Sequence, residues 1–75
     1  MEREAVERVC REVARTYPEM RDLKPTVRRE TQAAQELYVL TFKGKVALPE
    51  GKQMSRIVRA TADAHGRIVR ISTSR

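Results

Sequence analysis

The chain predicts an α+β fold: one N-terminal helix packed on a four-stranded antiparallel β-meander. Three observations lead there. An apolar stripe of helical period fills the first seventeen positions, and four segments rich in β-forming residues follow. Short connections separate those segments, which implies hairpins between consecutive strands. Seventy-five residues make one domain, spanning 1–75.

The helix is predicted over about 3–16. Val6, Val9, Cys10, Val13 and Tyr17 recur at spacings of three and four, which places them on one face. Glu4 with Arg8 and Glu7 with Arg11 are pairs four apart with the acid first, the more favourable order. Glutamates crowd the first turn, where the helix dipole favours negative charge. Pro18 disfavours helical geometry in the residue before it and stops the helix near Tyr17.

Strands are predicted at about 23–31, 37–48, 54–63 and 67–73. Pro25 puts the first strand at a sheet edge or at its own beginning. Thr31–Glu36 is polar and reads as a turn. Leu37–Leu48 is the strongest strand signal, with Gly44 marking a bulge or bend inside it. Pro49-Glu50-Gly51-Lys52 and Ala64-His65-Gly66 have turn composition.

A sheet with one helix on it buries one face and leaves the other in water. Period-two alternation assigns Tyr38, Leu40, Phe42, Val46, Val58, Ala60, Ala62, Val69, Ile71, Val27 and Leu23 to the helix side. The opposite choice would bury Arg59 as an unpaired charge. Arg56 shares the inward phase of Val58 and is expected at a strand end or beside a bulge. The outer face then gathers Val39, Ile57 and Ile68 with Arg28, Lys43, Arg59 and Arg70, and with Thr26, Thr41, Thr61 and Ser72.

The net charge is +6, carried by twelve arginines and four lysines against ten acids. The first sixteen residues hold four arginines and four glutamates, so the surplus lies wholly in the sheet-forming part. The one cysteine cannot form an internal disulfide. Cys10 lies on the buried stripe and His65 in a turn, so neither joins a catalytic or metal-binding constellation. The three glycines form no phosphate loop. The sequence therefore reads as a non-enzyme with no cofactor, no metal site and no small-molecule substrate. It has no apolar run long enough for a signal peptide or a membrane span. Taken as a complete chain, it reads as cytoplasmic.

The helix ending Tyr17-Pro18, the strand Leu37-Tyr38-Val39-Leu40 and the closing segment Ala62-Asp63-Ala64-His65-Gly66-Arg67-Ile68-Val69-Arg70-Ile71 resemble small cystatin-like folds, PepSY-type domains above all. The resemblance implies a helix cradled by an antiparallel meander, no catalytic residues, and a protein-contacting or protease-modulating role. Family members are often exported and acidic, whereas this chain is basic and shows no export signal, so the fold carries over and the activity does not.

The leading functional expectation is a small protein-interaction module, contacting a partner or a second copy through the outer face. Val39, Ile57 and Ile68 would supply its apolar centre and Arg28, Arg59 and Arg70 its polar contacts. One alternative is binding to the phosphate backbone of nucleic acid by Arg28, Arg59, Arg67 and Arg70, without base stacking, because Tyr17, Tyr38 and Phe42 all fall on core phases. The other is a protease-modulating domain using the Pro49–Lys52 turn and the N-terminus.

Overall fold

A computed structural model describes residues 1–32 and 34–74. Helix α1 spans Arg3–Thr16. Strands β1 (Thr26–Gln32), β2 (Gln35–Ala47), β3 (Gln53–Ala62) and β4 (Ile68–Ser74) follow and pair antiparallel in the order β1-β2-β3-β4. The fold is α+β, a helix on a four-stranded antiparallel meander.

α1 starts without a side-chain cap, with Glu4 in its first turn and Arg15 in its last. The ion pairs on its surface are Arg3–Glu7 and Glu12–Arg15, not the Glu4–Arg8 and Glu7–Arg11 pairs that spacing suggested. The helix closes as expected before Pro18, and the Tyr17 amide donates to the Val13 carbonyl at 2.7 Å. A short 3₁₀ turn, Pro18–Met20, then folds the chain back and drives Met20 into the core.

The core is one cluster: Val9 and Val13 from α1, Met20 from the turn, Tyr38, Leu40 and Phe42 from β2, and Val58, Ala60 and Ala62 from β3. Phe42 is its largest fully buried member and is 1% exposed. Burying such a ring contributes about 1.5–3 kcal/mol. The two alanines present little bulk under the helix. Met1, Val6, Cys10, Tyr17, Leu23, Ile68 and Ile71 pack around the rim.

Gly44 marks no bulge. It pairs regularly with Arg56, and a Cβ on it would stand 3.0 Å from the Met20 Sδ atom and 3.2 Å from Leu23 Cδ1. Glycine lets Met20 lie directly on the strand, and a Cβ here would oblige the Met20 and Leu23 side chains to give way. Gly66 is held in a similar way at the other end of the molecule. Its φ is 86°, and a Cβ would fall 2.8 Å from the Ala5 carbonyl oxygen, so the β3–β4 turn rests on the first turns of α1. Asp63 shapes that turn: its Oδ1 accepts from the His65 and Arg67 amides at 2.9 and 3.0 Å.

Four expectations about the sheet are corrected. β1 runs to Gln32 and β2 starts at Gln35, so Thr31, Gln32, Gln35 and Glu36 belong to strands and not to a six-residue turn. Position 33, inside that expected turn, lies outside the described residues. Val27 holds the inward phase, opposite Leu40, yet is 41% exposed, because β1 is the sheet's outer edge and contributes no residue to the core cluster. Arg56 sits inside β3 at regular register, neither at an end nor at a bulge. In β4 the alternation is broken between the pairs Thr61–Arg70 and Ala62–Ile68, where Val69 is an extra, unpaired residue. That β-bulge turns Ile68 to the helix side and leaves Val69 62% exposed, the reverse of the expected phase.

The molecule is long, 48 × 22 × 16 Å. A fourteen-residue helix covers only about 21 Å of it. Beyond Gly44 the ends of β2 and β3 project past the core cluster, and every residue from Ala47 to Gln53 is exposed.

Candidate functional site

On the side of the sheet away from α1, the registers place side chains in cross-strand rows. One row reads Arg28, Val39, Thr61, Arg70; the next reads Thr26, Thr41, Arg59, Ser72. Lys43 and Ile57 with Ser74 make a third row, and Lys45 with Ser55 a fourth. The first two rows, with Glu30, enclose a shallow basin of about 610 Å³. Thr41 and Thr61 are half-buried on the central strands, and Arg28, Arg59 and Arg70 are exposed around them.

The strands produce this arrangement by simple means. Phe42, Leu40, Val58 and Ala60 must face the helix, so Thr41, Lys43, Ile57 and Arg59 must face away. The regular pairs Thr61–Arg70 and Arg59–Ser72 put Arg70 and Ser72 on the same side as Thr61 and Arg59, and the bulge at Val69 turns Ile68 away from that face. Without the extra residue, one of the two ends of β4 would present the opposite face.

Charge on this face is largely uncompensated. Arg28 Nη2 donates to Glu30 Oε1 at 3.0 Å. Arg59, Arg70, Lys43 and Lys45 have no ion pair among the described residues. Exposed guanidiniums offer flat donor forks that suit carboxylate or phosphate, and the neighbouring threonine and serine hydroxyls add donors of their own.

Of the residues singled out from sequence, Arg28, Arg59, Arg70 and Val39 come together here, with Ile57 half-buried one row away. Ile68 does not. It packs against the core, and the predicted apolar centre loses a third of its members. Arg67 stands at the end of the sheet in the Asp63 turn, where its backbone serves that turn. Lys45 extends the row of cations and was absent from the expected set, although it follows Lys43 by the two-residue period that marks one face.

Arg56 is the other cation with a defined setting. Its Nη1 donates to Glu19 Oε1 at 2.7 Å, and its guanidinium lies 5.8 Å from the centre of the Tyr17 ring. The hydrogen bond from Arg56 is the main reason the Glu19 carboxyl titrates below its ordinary range. This clasp explains how a charge is tolerated on the inward phase: it ties the segment after α1 to β3.

A second recess of about 990 Å³ lies beside α1, reaching Tyr38 and His65. Three glutamates (Glu2, Glu4, Glu12) and three arginines (Arg8, Arg11, Arg15) line it, so it has no preferred sign. Burial pushes the Cys10 thiol upward, away from the thiolate form that a nucleophile requires. Among the described residues no three His, Cys, Asp or Glu side chains converge as metal ligands would. No helix among the described residues is long and apolar enough to cross a membrane.

No family model, curated protein or solved structure matches this chain.

Proposed function

We propose that this chain is a small non-catalytic binding module that engages an anionic macromolecule through the uncovered face of its sheet. The observation that carries the reading is the separation of charge between the two sides. The exposed side of α1 interleaves acids and bases, while the opposite face of the sheet gathers Arg28, Lys43, Lys45, Arg59 and Arg70 against one acid, Glu30, among the described residues. Fields of this kind draw in partners of opposite sign and speed encounter.

A second copy of this chain fits that face less well. Face-to-face pairing would set guanidinium against guanidinium, and with Ile68 turned to the core only two of the three predicted apolar anchors, Val39 and Ile57, stay on that face. Stable interfaces rest on a desolvated cluster of large anchors. The PepSY-like alternative would put the contact at the Pro49–Lys52 turn and the N-terminus; that turn is exposed but carries one acid and one base.

The reading is checked by following backbone amides during titration with a short DNA duplex and, separately, with polyglutamate. The perturbed amides should fall on Thr26–Arg28, Val39–Lys43, Ile57–Thr61 and Arg70–Ser72, with α1 unmoved. Perturbation spread evenly over α1 and the sheet, or confined to Pro49–Lys52, refutes it.

A further inference from the structure

We infer that the anionic partner is the phosphate backbone of a nucleic-acid duplex, held without reading its sequence; this rests on the binding face proposed above. The cations run lengthwise along the sheet. Arg70, Arg59, Lys43 and Lys45 occupy four successive rows, one per row. Residues two apart on a strand are about 6.8 Å apart, so the track is about 20 Å long. Each strand of a duplex presents a phosphate about every 3.4 Å of helix axis, so a track of this length meets several at once.

Two features favour phosphate over the carboxylates of an acidic protein. Thr41, Thr61, Ser72 and Ser74 lie in or beside the rows of these cations, and hydroxyls join arginine and lysine as routine donors to phosphate oxygens. The face also lacks an aromatic anchor of the kind a protein partner would bury, and a phosphate backbone asks for none. Bases are equally unaddressed. Tyr38 and Phe42 are in the core, and Tyr17 lies under Arg56, so this face offers no tyrosine or phenylalanine ring to stack on an unpaired base. A duplex keeps its bases stacked internally and offers the phosphates alone.

The number of cations sets the salt dependence. With four phosphates neutralised, the slope of log K against log salt is about −3.6, and binding weakens about 150-fold between 50 and 200 mM salt. Removing one cation lowers the slope by about 0.9 and the loss to about 40-fold. Arg28 is held by Glu30, so Glu30→Gln should free it and tighten binding.

The test is fluorescence anisotropy with two labelled duplexes of unrelated sequence, a single strand and labelled polyglutamate. Wild-type protein is compared with Arg59→Ala, Lys43→Ala, Lys45→Ala, Glu30→Gln and the helix variant Arg11→Ala, each checked for folding by circular dichroism. The two duplexes should bind alike and more tightly than the single strand. The slopes should fall with Arg59→Ala, Lys43→Ala and Lys45→Ala, and Arg11→Ala should leave them unchanged. Binding to polyglutamate with none to duplex overturns this inference and leaves the proposed face standing. Equal losses from Arg11→Ala and Arg59→Ala overturn it too. No binding to any of the polyanions at 50 mM salt overturns both readings.

Discussion

Replacing Gly66 by alanine tests how far the β3–β4 turn and the helix depend on each other. Two costs are distinguishable. The residue sits at φ 86°, a left-handed conformation that costs a non-glycine residue about 1–2 kcal/mol. The new Cβ would also stand 2.8 Å from the Ala5 carbonyl oxygen and 3.1 Å from Ala5 Cα. Those are backbone atoms in a helix, so relief requires the turn or the helix to move, at about 1–3 kcal/mol. The expected loss is about 2–5 kcal/mol, a large share of the roughly 4–11 kcal/mol that a domain of this size commands. Gly51 provides the control. Its φ is 75°, but nothing lies within 4 Å of a Cβ there, so Gly51→Ala should show the first cost alone. Urea unfolding followed by circular dichroism gives both values. A Gly66→Ala variant no less stable than Gly51→Ala, within about 0.5 kcal/mol, would mean that the turn does not bear on the helix, and the reasoning fails.

Two further outcomes concern the interior and the acid limb. Met20→Ala should cost about 2–5 kcal/mol. Adding Gly44→Ala to it should recover part of that loss, because the added Cβ, which would crowd Met20 if that side chain were present, enters the space Met20 leaves. A double-mutant cycle should give a coupling of at least 0.5 kcal/mol, and strict additivity would argue against the packing described. Asp63 titrates below the ordinary aspartate range, chiefly because its carboxylate accepts from the Arg67 amide. A depressed folded-state pKa means that its stabilisation is fully present above about pH 3.9 and drains away as pH falls through the lower folded value. Asp63→Asn should therefore flatten the loss of stability below pH 4, and an unchanged acid profile would contradict that role.

Much of the fold was readable because local and global signals agree. The helix bounds of 3–16 match because the apolar stripe, the first-turn glutamates and Pro18 all point to the same segment. β2 and β3 register as expected because Phe42, Leu40 and Val58 can only be inside if Arg59 is out. The failures share a cause: each depended on a partner distant in sequence or on an irregularity without a residue signature. Ile68 and Val69 are both β-branched, so nothing in composition marks the bulge between them, and a single extra residue reverses the phase of everything before it. The hairpin between β1 and β2 has Ala34 at φ 63°, where asparagine or glycine is usual, so the turn looked longer than it is. Glu19 lies 37 positions from Arg56, too far for any local pattern to pair them. The basic face was legible from charge and alternation together, and its apolar part was overstated by one residue.

The mismatch in length between helix and sheet gives the molecule two tiers of cohesion. From Tyr38 to Gly44, β2 is anchored by α1 and by Met20. From Ala47 through Gln53 every described residue is exposed, and a bare two-stranded ribbon is marginal in water. The distal arm can thus part and re-form by exchanging a few hydrogen bonds with solvent while the anchored half stays intact. Lys45 rides on that arm and Arg59 and Arg70 on the rigid base, so one end of the cationic track can adjust to a partner's contour while the other end holds its position.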